Sequence, residues 1–145
     1  MSTKVCVVGA GPSGLVAVKE LLQQNIEVVC YEAEASFGGA FRDIDKGGRS
    51  YDSLELTVSN YFMAYSDFMP DPKEERRFWK VSEYREYLKD YIRHFDLEKH
   101  LYYSHNVLST SIQGNSVVVE VEHQGEVRKE EFDHLVICTG SNFIP

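Results

Sequence analysis

The sequence predicts an α/β fold, a Rossmann-like doubly wound parallel sheet, and three observations predict it. A short β-prone run at residues 5–8 leads directly into a glycine-rich turn. A helical pattern and a second apolar run, residues 26–31, follow in the order of a βαβ unit. A further apolar run at residues 135–138 ends in a small polar turn. Strands buried on both faces of a parallel sheet have this continuous apolar character.

The turn after the first strand carries the spacing G-x-G-x-x-G at Gly9, Gly11 and Gly14. In this motif the first glycine permits a tight turn, the second lets the backbone approach a pyrophosphate, and the third lets the next helix lie close to the strand. Pro12 suits the first turn of that helix, whose N–H groups and dipole favour an anion. The spacing alone is weak evidence, but the strand before it and the helix after it predict a nucleotide-binding turn.

Glu32 ends the second predicted strand, 18 residues beyond Gly14. The motif places an acid here to accept hydrogen bonds from a ribose. A solvated acid at a strand end is the alternative, and the complete βαβ unit favours the ribose role. Because a carboxylate would repel a 2′-phosphate, the predicted ligand is an adenosine diphosphate with a free ribose, as in FAD or NAD, rather than NADP.

Length and composition indicate one globular domain over residues 1–145. The chain has 43% hydrophobic and 26% charged residues, which is typical of soluble proteins. No apolar run approaches the roughly 18 residues of a membrane span. The first residues lead into the strand without the apolar segment of a secretory signal, so we expect a cytoplasmic protein.

Charge and residue spacing argue against several classes of function. The formal net charge of −8 argues against a general nucleic-acid binder, because phosphates would meet no basic surplus. The basic residues between Lys73 and Lys80 alternate with acids, which favours a solvated loop.

The five histidines show no metal-ligand spacing, so we expect no metal site and interpret them as surface or packing residues. The three cysteines lie in apolar strands, which is typical of free thiols in a reducing compartment.

The middle of the chain has a less regular pattern. We interpret residues 33–42 as a loop whose paired glycines either approach a ligand or form a simple turn. The aromatic and methionine cluster at residues 61–69 predicts a long loop packed on the sheet. A helix is predicted to begin near Ser82, as its N-cap, and to end by Asp96.

The last third of the chain predicts how the sheet is completed. Residues 101–104 form a third parallel strand beside the second. Three strands with period-two alternation predict an antiparallel meander that replaces a helix as the crossover to the last strand. These three strands are residues 107–112, 117–121 and 127–132.

The predicted strand order in the sheet is third, second, first and last. This order places the glycine turn beside Thr139 and Gly140, which follow the last strand. The two turns meet where strand order reverses. Ligands bind at that point in open α/β sheets.

Several features together resemble the FAD-binding half of the flavin-containing monooxygenase family, which also includes Baeyer–Villiger and N-hydroxylating relatives. The resemblance covers nearly the whole chain and implies an FAD-binding domain of the glutathione reductase type. Its most specific motif is the block from Tyr51 to Phe68, whereas the glycine turn is shared with many flavin and nicotinamide folds. The other motifs that carry it are Glu32, Gly38–Arg42, Tyr91–Leu97 and Ile137–Gly140.

In that family FAD is reduced by NADPH, reacts with O2 and passes one oxygen atom to a nitrogen, sulfur or carbonyl centre. The resemblance therefore implies an enzyme that uses FAD and NADPH and acts on a small molecule and O2. The implied contacts to the phosphates come from Gly9, Gly11, Pro12, Ser13, Gly14, Thr139 and Gly140. The implied contacts to the adenosine come from Glu32 and the backbone of Val107. The path toward the flavin is lined by Gly39, Ala40, Phe41 and Arg42.

Two positions depart from the family pattern. Phe41 stands where the family usually has Trp, which keeps an aromatic face but loses an N–H donor. Thr57 stands where these monooxygenases usually have an Asn close to the reacting oxygen. Thr offers one O–H donor where Asn offers two N–H donors. A catalytic role for Thr57 and the lack of one are both open at this point.

The length of the chain is a third departure. The chain ends at residues 143–145, after the first flavin-contacting half, without the second glycine-rich motif for NADPH and the late strand that completes the flavin site. We expect an N-terminal piece of a larger enzyme and little turnover by these residues alone. The remaining part would lie on an extension, on another chain or in a homo-oligomer.

Two other functions stay open on the sequence alone. A non-catalytic nucleotide-binding module would account for Thr57 and for the short chain. An NAD-dependent oxidoreductase domain would account for Glu32 but not for the block from Tyr51 to Phe68.

Overall fold

The computed structural model describes residues 2–42, 48, 50–51 and 53–140. Asp52 within the Tyr51 to Phe68 block and the end of the chain at residues 143–145 lie outside the described residues. Among the described residues, every helix is too short or too polar to form a membrane span.

In chain order the elements are β1 (Lys4–Val8), α1 (Pro12–Gln23), β2 (Glu27–Tyr31), a 3-10 turn (Gly39–Phe41), β3 (Glu55–Ser59), α2 (Asn60–Met63), β4 (Phe78–Lys80), α3 (Val81–His94), a second 3-10 turn (Glu98–His100), β5 (Leu101–Tyr102), β6 (Asn106–Gln113), β7 (Ser116–His123), β8 (Glu126–Phe132) and β9 (His134–Ile137).

Four parallel strands form the central sheet, in the order β5-β2-β1-β9. β1 pairs with β2 on one side and with β9 on the other, so that Val8 lies opposite both Tyr31 and Ile137. β5 extends the sheet beyond β2, with Cys30 opposite Leu101. The predicted order of the strands is confirmed, although the third strand has two residues rather than the four predicted.

Each face of the central sheet is covered by a different layer. Successive side chains of β1 point to opposite faces, and Cys6 and Val7 accordingly belong to two separate apolar clusters. The cluster of Val7 includes Leu15 of α1 and Leu88 of α3. The cluster of Cys6 includes Val119 of the antiparallel meander β6-β7-β8. The meander therefore replaces a helix as the crossover to β9, as predicted.

The N-terminus of α3 differs from the prediction. The N-cap is Lys80, so the prediction of Ser82 as N-cap is wrong. Glu83 stabilises the first turn instead. Its carboxylate accepts a hydrogen bond from the backbone N–H of Lys80 at 2.9 Å and two from the guanidinium of Arg77 at 2.7 and 2.9 Å. An acid in the first turn also interacts favourably with the helix dipole. The helix ends at His94, within the predicted limit.

A second, small sheet, in which β3 pairs antiparallel with β4, is not predicted by the sequence. The interpretation of the segment before Lys80 as a solvated loop is wrong for Phe78–Lys80, which forms β4. β3 lies before the loop predicted at residues 61–69, and the first residues of that loop belong to α2 instead. Leu56 in β3 and Trp79 in β4 are the buried residues of this sheet. One buried side chain in each strand is too short a pattern to indicate a strand.

Buried Asn60 joins the small sheet to the segment before β4. Its side-chain amide donates to the carboxylate of Glu74 and to the carbonyl of Glu75, both at 3.2 Å. Its side-chain oxygen accepts from the backbone N–H groups of Tyr61 at 3.1 Å and Arg77 at 3.2 Å. Because Asn60 is 0% exposed, removing its amide would leave polar groups without their partners in the interior.

We expect Asn60→Ala to lower the free energy of unfolding by about 2 kcal/mol, because the hydrogen bonds that the buried side chain of Asn60 makes to four backbone and side-chain groups are lost. Gln113→Ala is the matched control, since Gln113 is exposed at the end of β6, and its effect should stay within about 0.5 kcal/mol. Urea unfolding followed by circular dichroism measures both values. Equal stability of the two variants would contradict the role given to Asn60.

Candidate functional site

The glycine turn after β1 is tightly built around Gly9. Its φ is +101°, a conformation that side chains rarely allow. Its N–H donates to the carbonyl of Tyr31 at 2.7 Å, which ties the turn to the end of β2. A Cβ atom at this position would lie 2.5 Å from the carbonyl oxygen of Cys138. Both the backbone conformation and the available space therefore require glycine here.

Gly14 and Gly11 differ in what surrounds them. A Cβ atom on Gly14 would lie 1.8 Å from the carbonyl oxygen of Gly9, so the missing side chain lets α1 lie against the turn. A Cβ atom on Gly11 would meet its nearest neighbour, the Cα of Gly39, at 3.6 Å, which is an ordinary contact. Glycine at position 11 therefore relieves no clash within the described protein. It leaves the backbone open to a ligand.

The N-terminus of α1 lies directly after this open backbone, with Gly11 as its N-cap. Pro12 occupies the first helical position, where its missing N–H costs no hydrogen bond. The other residues of the first turn, Ser13, Gly14 and Leu15, are uncharged. The unpaired N–H groups and the positive end of the helix dipole therefore form a favourable environment for a phosphate.

The loop with Gly38 and Gly39 borders the glycine turn. The N–H of Gly38 donates to the carbonyl of Ala10 at 3.0 Å, and a Cβ atom on Gly39 would lie 3.2 Å from the Cα of Gly11. Both loop glycines have positive φ, +113° and +54°. Of the two interpretations of this loop, approach to a ligand site is the one that its position favours.

Phe41 and Arg42 are fixed by contacts from other segments. The ring of Phe41 packs edge-to-face on Tyr84 of α3, with the ring centroids 4.9 Å apart. Arg42 is buried and forms an ion pair with Glu34 at 3.1 Å. Ala40, between the loop glycines and Phe41, is exposed. This stretch therefore extends from the glycine turn toward α3, and the contacts of Phe41 and Arg42 hold it in place.

Glu32 is buried, with 8% of its surface exposed, so it is not the solvated acid of the alternative interpretation. One oxygen of its carboxylate accepts a hydrogen bond from the N–H of Ala10 at 2.7 Å. The other accepts from the N–H of Glu34 at 2.9 Å. Because a carboxylate has about four acceptor positions, two of them stay available to hydroxyl donors. The structure thus places a buried carboxylate directly beside the glycine turn.

The turn after β9 also lies beside the glycine turn. The N–H of Cys138 donates to the carbonyl of Val8 at 2.8 Å, and the Cα of Thr139 would lie 3.5 Å from a Cβ atom on Gly9. Gly140 is exposed and has a φ of +85°. The structure therefore brings Thr139 and Gly140 to the turn, on the side of β1 opposite β2.

Two further predicted residues lie outside the glycine turn. Val107, at the start of β6, packs on the apolar cluster that contains Tyr31, the residue before Glu32. Thr57 lies exposed on β3, in the small two-stranded sheet. The structure thus brings Val107 toward the acid and places Thr57 on a different sheet from the glycine turn.

Tyr65 supports the site, although its position in the sequence predicts no such role. Its hydroxyl donates to the carbonyl of Pro12 at 2.6 Å, in the first turn of α1. Its backbone N–H donates to the hydroxyl of Tyr87 at 2.7 Å, which in turn donates to the carbonyl of Phe68 at 2.9 Å. Burial and neighbouring tyrosines raise the pKa of Tyr65, so its hydroxyl stays protonated. The sequence signal for Tyr65 was the aromatic cluster, which indicates packing alone.

Lys19 is a second supporting residue that the sequence pattern does not predict. It is buried on α1 and forms ion pairs with Asp67 and Glu20. Its ammonium group lies 5.4 Å from the centre of the Phe95 ring. Burial lowers the pKa of Lys19, but the two carboxylates outweigh burial and the net pKa is raised. The charged pair with Asp67 joins the Tyr51 to Phe68 block to α1.

The three cysteines are free thiols, as predicted. Burial, together with the nearby carboxylate of Glu130, raises the pKa of Cys6 to about 12. Burial also raises the pKa of Cys30 and of Cys138. Each thiol is therefore protonated at neutral pH and is a poor nucleophile. In the part of the chain that the structure describes, no three His, Cys, Asp or Glu side chains are grouped to hold a metal ion.

A separate cleft of about 490 Å³ lies between α3 and the segment before β4. Its walls combine the aromatic residues Phe68, Trp79 and Tyr87 with carboxylates such as Glu83. The glycine turn does not contribute to these walls. The cleft is therefore distinct from the candidate nucleotide site.

Residues 2–145 match the model of the FMO-like family, described as flavin-binding monooxygenase-like. The chain belongs to this family. The FMO-like chain is 44% identical over 141 residues to the 4-hydroxybenzoate brominase (decarboxylating) of Marinomonas mediterranea, a match that covers 97% of the chain and 26% of that protein. It is 34% identical over 149 residues to flavin-containing monooxygenase 1 of Homo sapiens, covering 97% of the chain and 28% of that protein.

Solved structures share the fold of this FMO-like chain. S-allyl-L-cysteine S-oxygenase from Allium sativum gives a TM-score of 0.85 at 23% identity, covering 97% of this chain and 37% of that one. An oxidized steroid monooxygenase bound to NADP gives a TM-score of 0.79 at 23% identity, covering 97% of this chain and 26% of that one. These similarities confirm the fold class that the sequence predicts.

The FMO-like chain spans 26% and 28% of the length of the two curated relatives described above. Membership of the family confirms the resemblance stated from the motifs. It also supports FAD, the cofactor that this resemblance implies. The two other functions, a non-catalytic module and an NAD-dependent oxidoreductase domain, are not favoured by these matches.

We expect Gly14→Ala and Gly11→Ala to separate folding from cofactor binding. Gly14→Ala forces a Cβ atom to within 1.8 Å of the Gly9 carbonyl oxygen, so we expect the free energy of unfolding to fall by about 3 kcal/mol. Gly11→Ala makes an ordinary 3.6 Å contact, so stability should change by less than about 1 kcal/mol while FAD affinity falls. Urea unfolding and FAD titration measure the two effects. Unchanged FAD affinity in the Gly11→Ala variant would contradict the site.

Proposed function

We propose that this chain is the FAD-binding part of an NADPH-dependent flavin monooxygenase that inserts one oxygen atom from O2 into a nitrogen, sulfur or carbonyl centre of a small molecule. The observation that supports this most is the 2.7 Å hydrogen bond from the N–H of Ala10 to Glu32. This bond holds the Glu32 carboxylate beside the open backbone of Gly11 and the N-terminus of α1, which supports its proposed role as the ribose acceptor. Adjacent phosphate and ribose sites fit an adenosine diphosphate.

In this proposal the residues of the chain bind and orient the cofactor, and the flavin supplies the redox chemistry when it is bound. The N–H groups of Ser13 and Gly14 donate to the pyrophosphate, which the missing side chain of Gly11 allows to approach. The two remaining acceptor positions of Glu32 take the ribose hydroxyls. The other proposed cofactor contacts come from Gly9, Pro12, Gly39, Ala40, Phe41, Arg42, Val107, Thr139 and Gly140.

We propose that a second part of the enzyme is needed to bind NADPH and the small-molecule substrate and to react with O2. The chain covers 26% and 28% of two curated relatives, and its sequence contains one glycine motif of the dinucleotide-binding kind. The second part would lie on a longer polypeptide, on another chain or on a second copy. We place the enzyme in the cytoplasm, because its free thiols fit a reducing compartment.

Decarboxylating bromination is a second candidate function. It is favoured by identities of 44% and 41% to two proteins named 4-hydroxybenzoate brominase (decarboxylating). In such a reaction bromide and NADPH each supply two electrons, which reduce O2 to two water molecules. A new C–Br bond replaces the bond between the ring and its carboxylate, which leaves as CO2. Mass spectrometry of products from 4-hydroxybenzoate with bromide, compared with amine and sulfide substrates, separates the two candidates in the complete enzyme.

FAD titration tests the cofactor site that both candidates share. We expect flavin absorbance to stay with the protein through gel filtration. Glu32→Gln should weaken FAD binding about tenfold, because a hydrogen bond to a charged acceptor becomes one to a neutral acceptor. Glu27→Gln, at the exposed opposite end of β2, is the matched control and should leave the affinity unchanged. Protein that stays colourless at any FAD concentration would contradict the proposal.

Thr57 is the proposed catalytic residue, through its single O–H donor. In the complete enzyme, we expect Thr57→Val to keep the FAD affinity but to lower the amount of product formed for each NADPH consumed. Thr57→Ser keeps the donor and is the matched control. Parallel assays of NADPH and product give this ratio. If Thr57→Val and Thr57→Ser give the same ratio as the wild type, Thr57 has no catalytic role.

A further inference from the structure

The turn between β5 and β6, residues 102–105, holds the segment that carries Glu32, and we call it the clamp turn. The backbone N–H of Glu32 donates to the carbonyl of Tyr102 at 2.9 Å. The N–H of His105 donates back to the carbonyl of Glu32 at 2.9 Å, and the N–H of Ser104 donates to the carbonyl of Glu34 at 2.8 Å. Three backbone hydrogen bonds therefore fix the acid and the two residues after it.

Two histidine side chains hold the clamp turn itself. The Nδ1 atom of His105 lies 2.7 Å from the carbonyl oxygen of Tyr103. The Nδ1 atom of His123, at the end of β7, lies 2.8 Å from the carbonyl oxygen of Ser104. A carbonyl oxygen can only accept, so both Nδ1 atoms carry the hydrogen and donate. Each imidazole therefore binds the backbone of the turn that fixes Glu32.

The two imidazoles form part of a continuous stack of three rings. The rings of His105 and His123 are parallel within 6° and their centroids are 4.0 Å apart. His105 also stacks on Tyr31, with the ring centroids 5.6 Å apart and an angle of 17°. Tyr31 is fully buried and precedes Glu32 in the chain. The stack thus joins the meander to the end of β2.

The clamp turn needs this support because its backbone is strained. Ser104 has a φ of +55°, which is unfavourable for a residue with a side chain and persists only when neighbouring contacts hold it. The bond from His123 to the carbonyl of Ser104 is one such contact. Without it, we expect the turn to relax and its hydrogen bonds to Glu32 and Glu34 to loosen.

We infer that His105 and His123 are positioning residues for the adenosine end of the nucleotide. They lock the clamp turn, the clamp turn holds the backbone of Glu32, and the carboxylate of Glu32 thereby stays beside the glycine turn in reach of the ribose hydroxyls. Neither imidazole needs to touch the nucleotide. This inference rests on the proposed function, because it assumes that Glu32 accepts those hydroxyls.

The test compares ADP with 2′,3′-dideoxy-ADP, which lacks the ribose hydroxyls, in calorimetric titrations of the full chain. The wild type should bind ADP more tightly than the dideoxy compound. His123→Ala should weaken ADP binding about fivefold, as expected for one lost hydrogen bond, and leave dideoxy-ADP binding nearly unchanged. His123→Asn, whose amide can donate to the carbonyl of Ser104, should restore part of the preference. Because His123 is half-exposed, these variants should fold.

Val119→Ala is the matched control for general destabilisation. Val119 is buried in the same meander and is not bonded to the clamp turn in the described structure. Its loss should lower the melting temperature without changing the preference for ADP. An unchanged preference in His123→Ala would overturn the inference, as would an equal loss of preference in Val119→Ala. If the wild type binds neither FAD nor ADP, the proposed function is overturned instead.

Discussion

The hydrogen bond from the N–H of Ala10 to the carboxylate of Glu32 is the contact on which the site depends. β1 and β2 are parallel and in register, with Val8 opposite Tyr31, so the residues that follow the two strands meet at one edge of the sheet. A buried carboxylate is stable only when hydrogen bonds replace its lost water. Backbone N–H groups provide those bonds here, and they fix the acid beside the glycine turn.

Contacts from two other parts of the described structure hold this arrangement in place. The Tyr51 to Phe68 block, the most specific part of the family resemblance, contacts α1 at two places, through Tyr65 at its first turn and through Asp67 at Lys19. The meander and the clamp turn contact the end of β2, on the side of the site away from α1. A binding site whose backbone is held from both sides loses less entropy when a ligand binds.

The parallel sheet, the meander and the roles of Gly9 and Gly14 could be predicted because their signals are local apolar runs and a short spacing. The pairing of β3 with β4 could not, since each strand buries one side chain. The support from Tyr65 joins residues 53 positions apart, and the histidine stack joins residues that share no motif. Ser82 was wrongly predicted as the N-cap because a carboxylate one residue later stabilises the helix start.

The most direct test of the central claim is a titration of the isotope-labelled protein with ADP, followed by amide nuclear magnetic resonance. Our account predicts the largest shifts at the N–H groups of Gly11, Ser13 and Gly14 and at Ala10, whose N–H is bonded to Glu32. Saturation without shifts at these four amides, or shifts confined to the cleft beside Trp79, would contradict it.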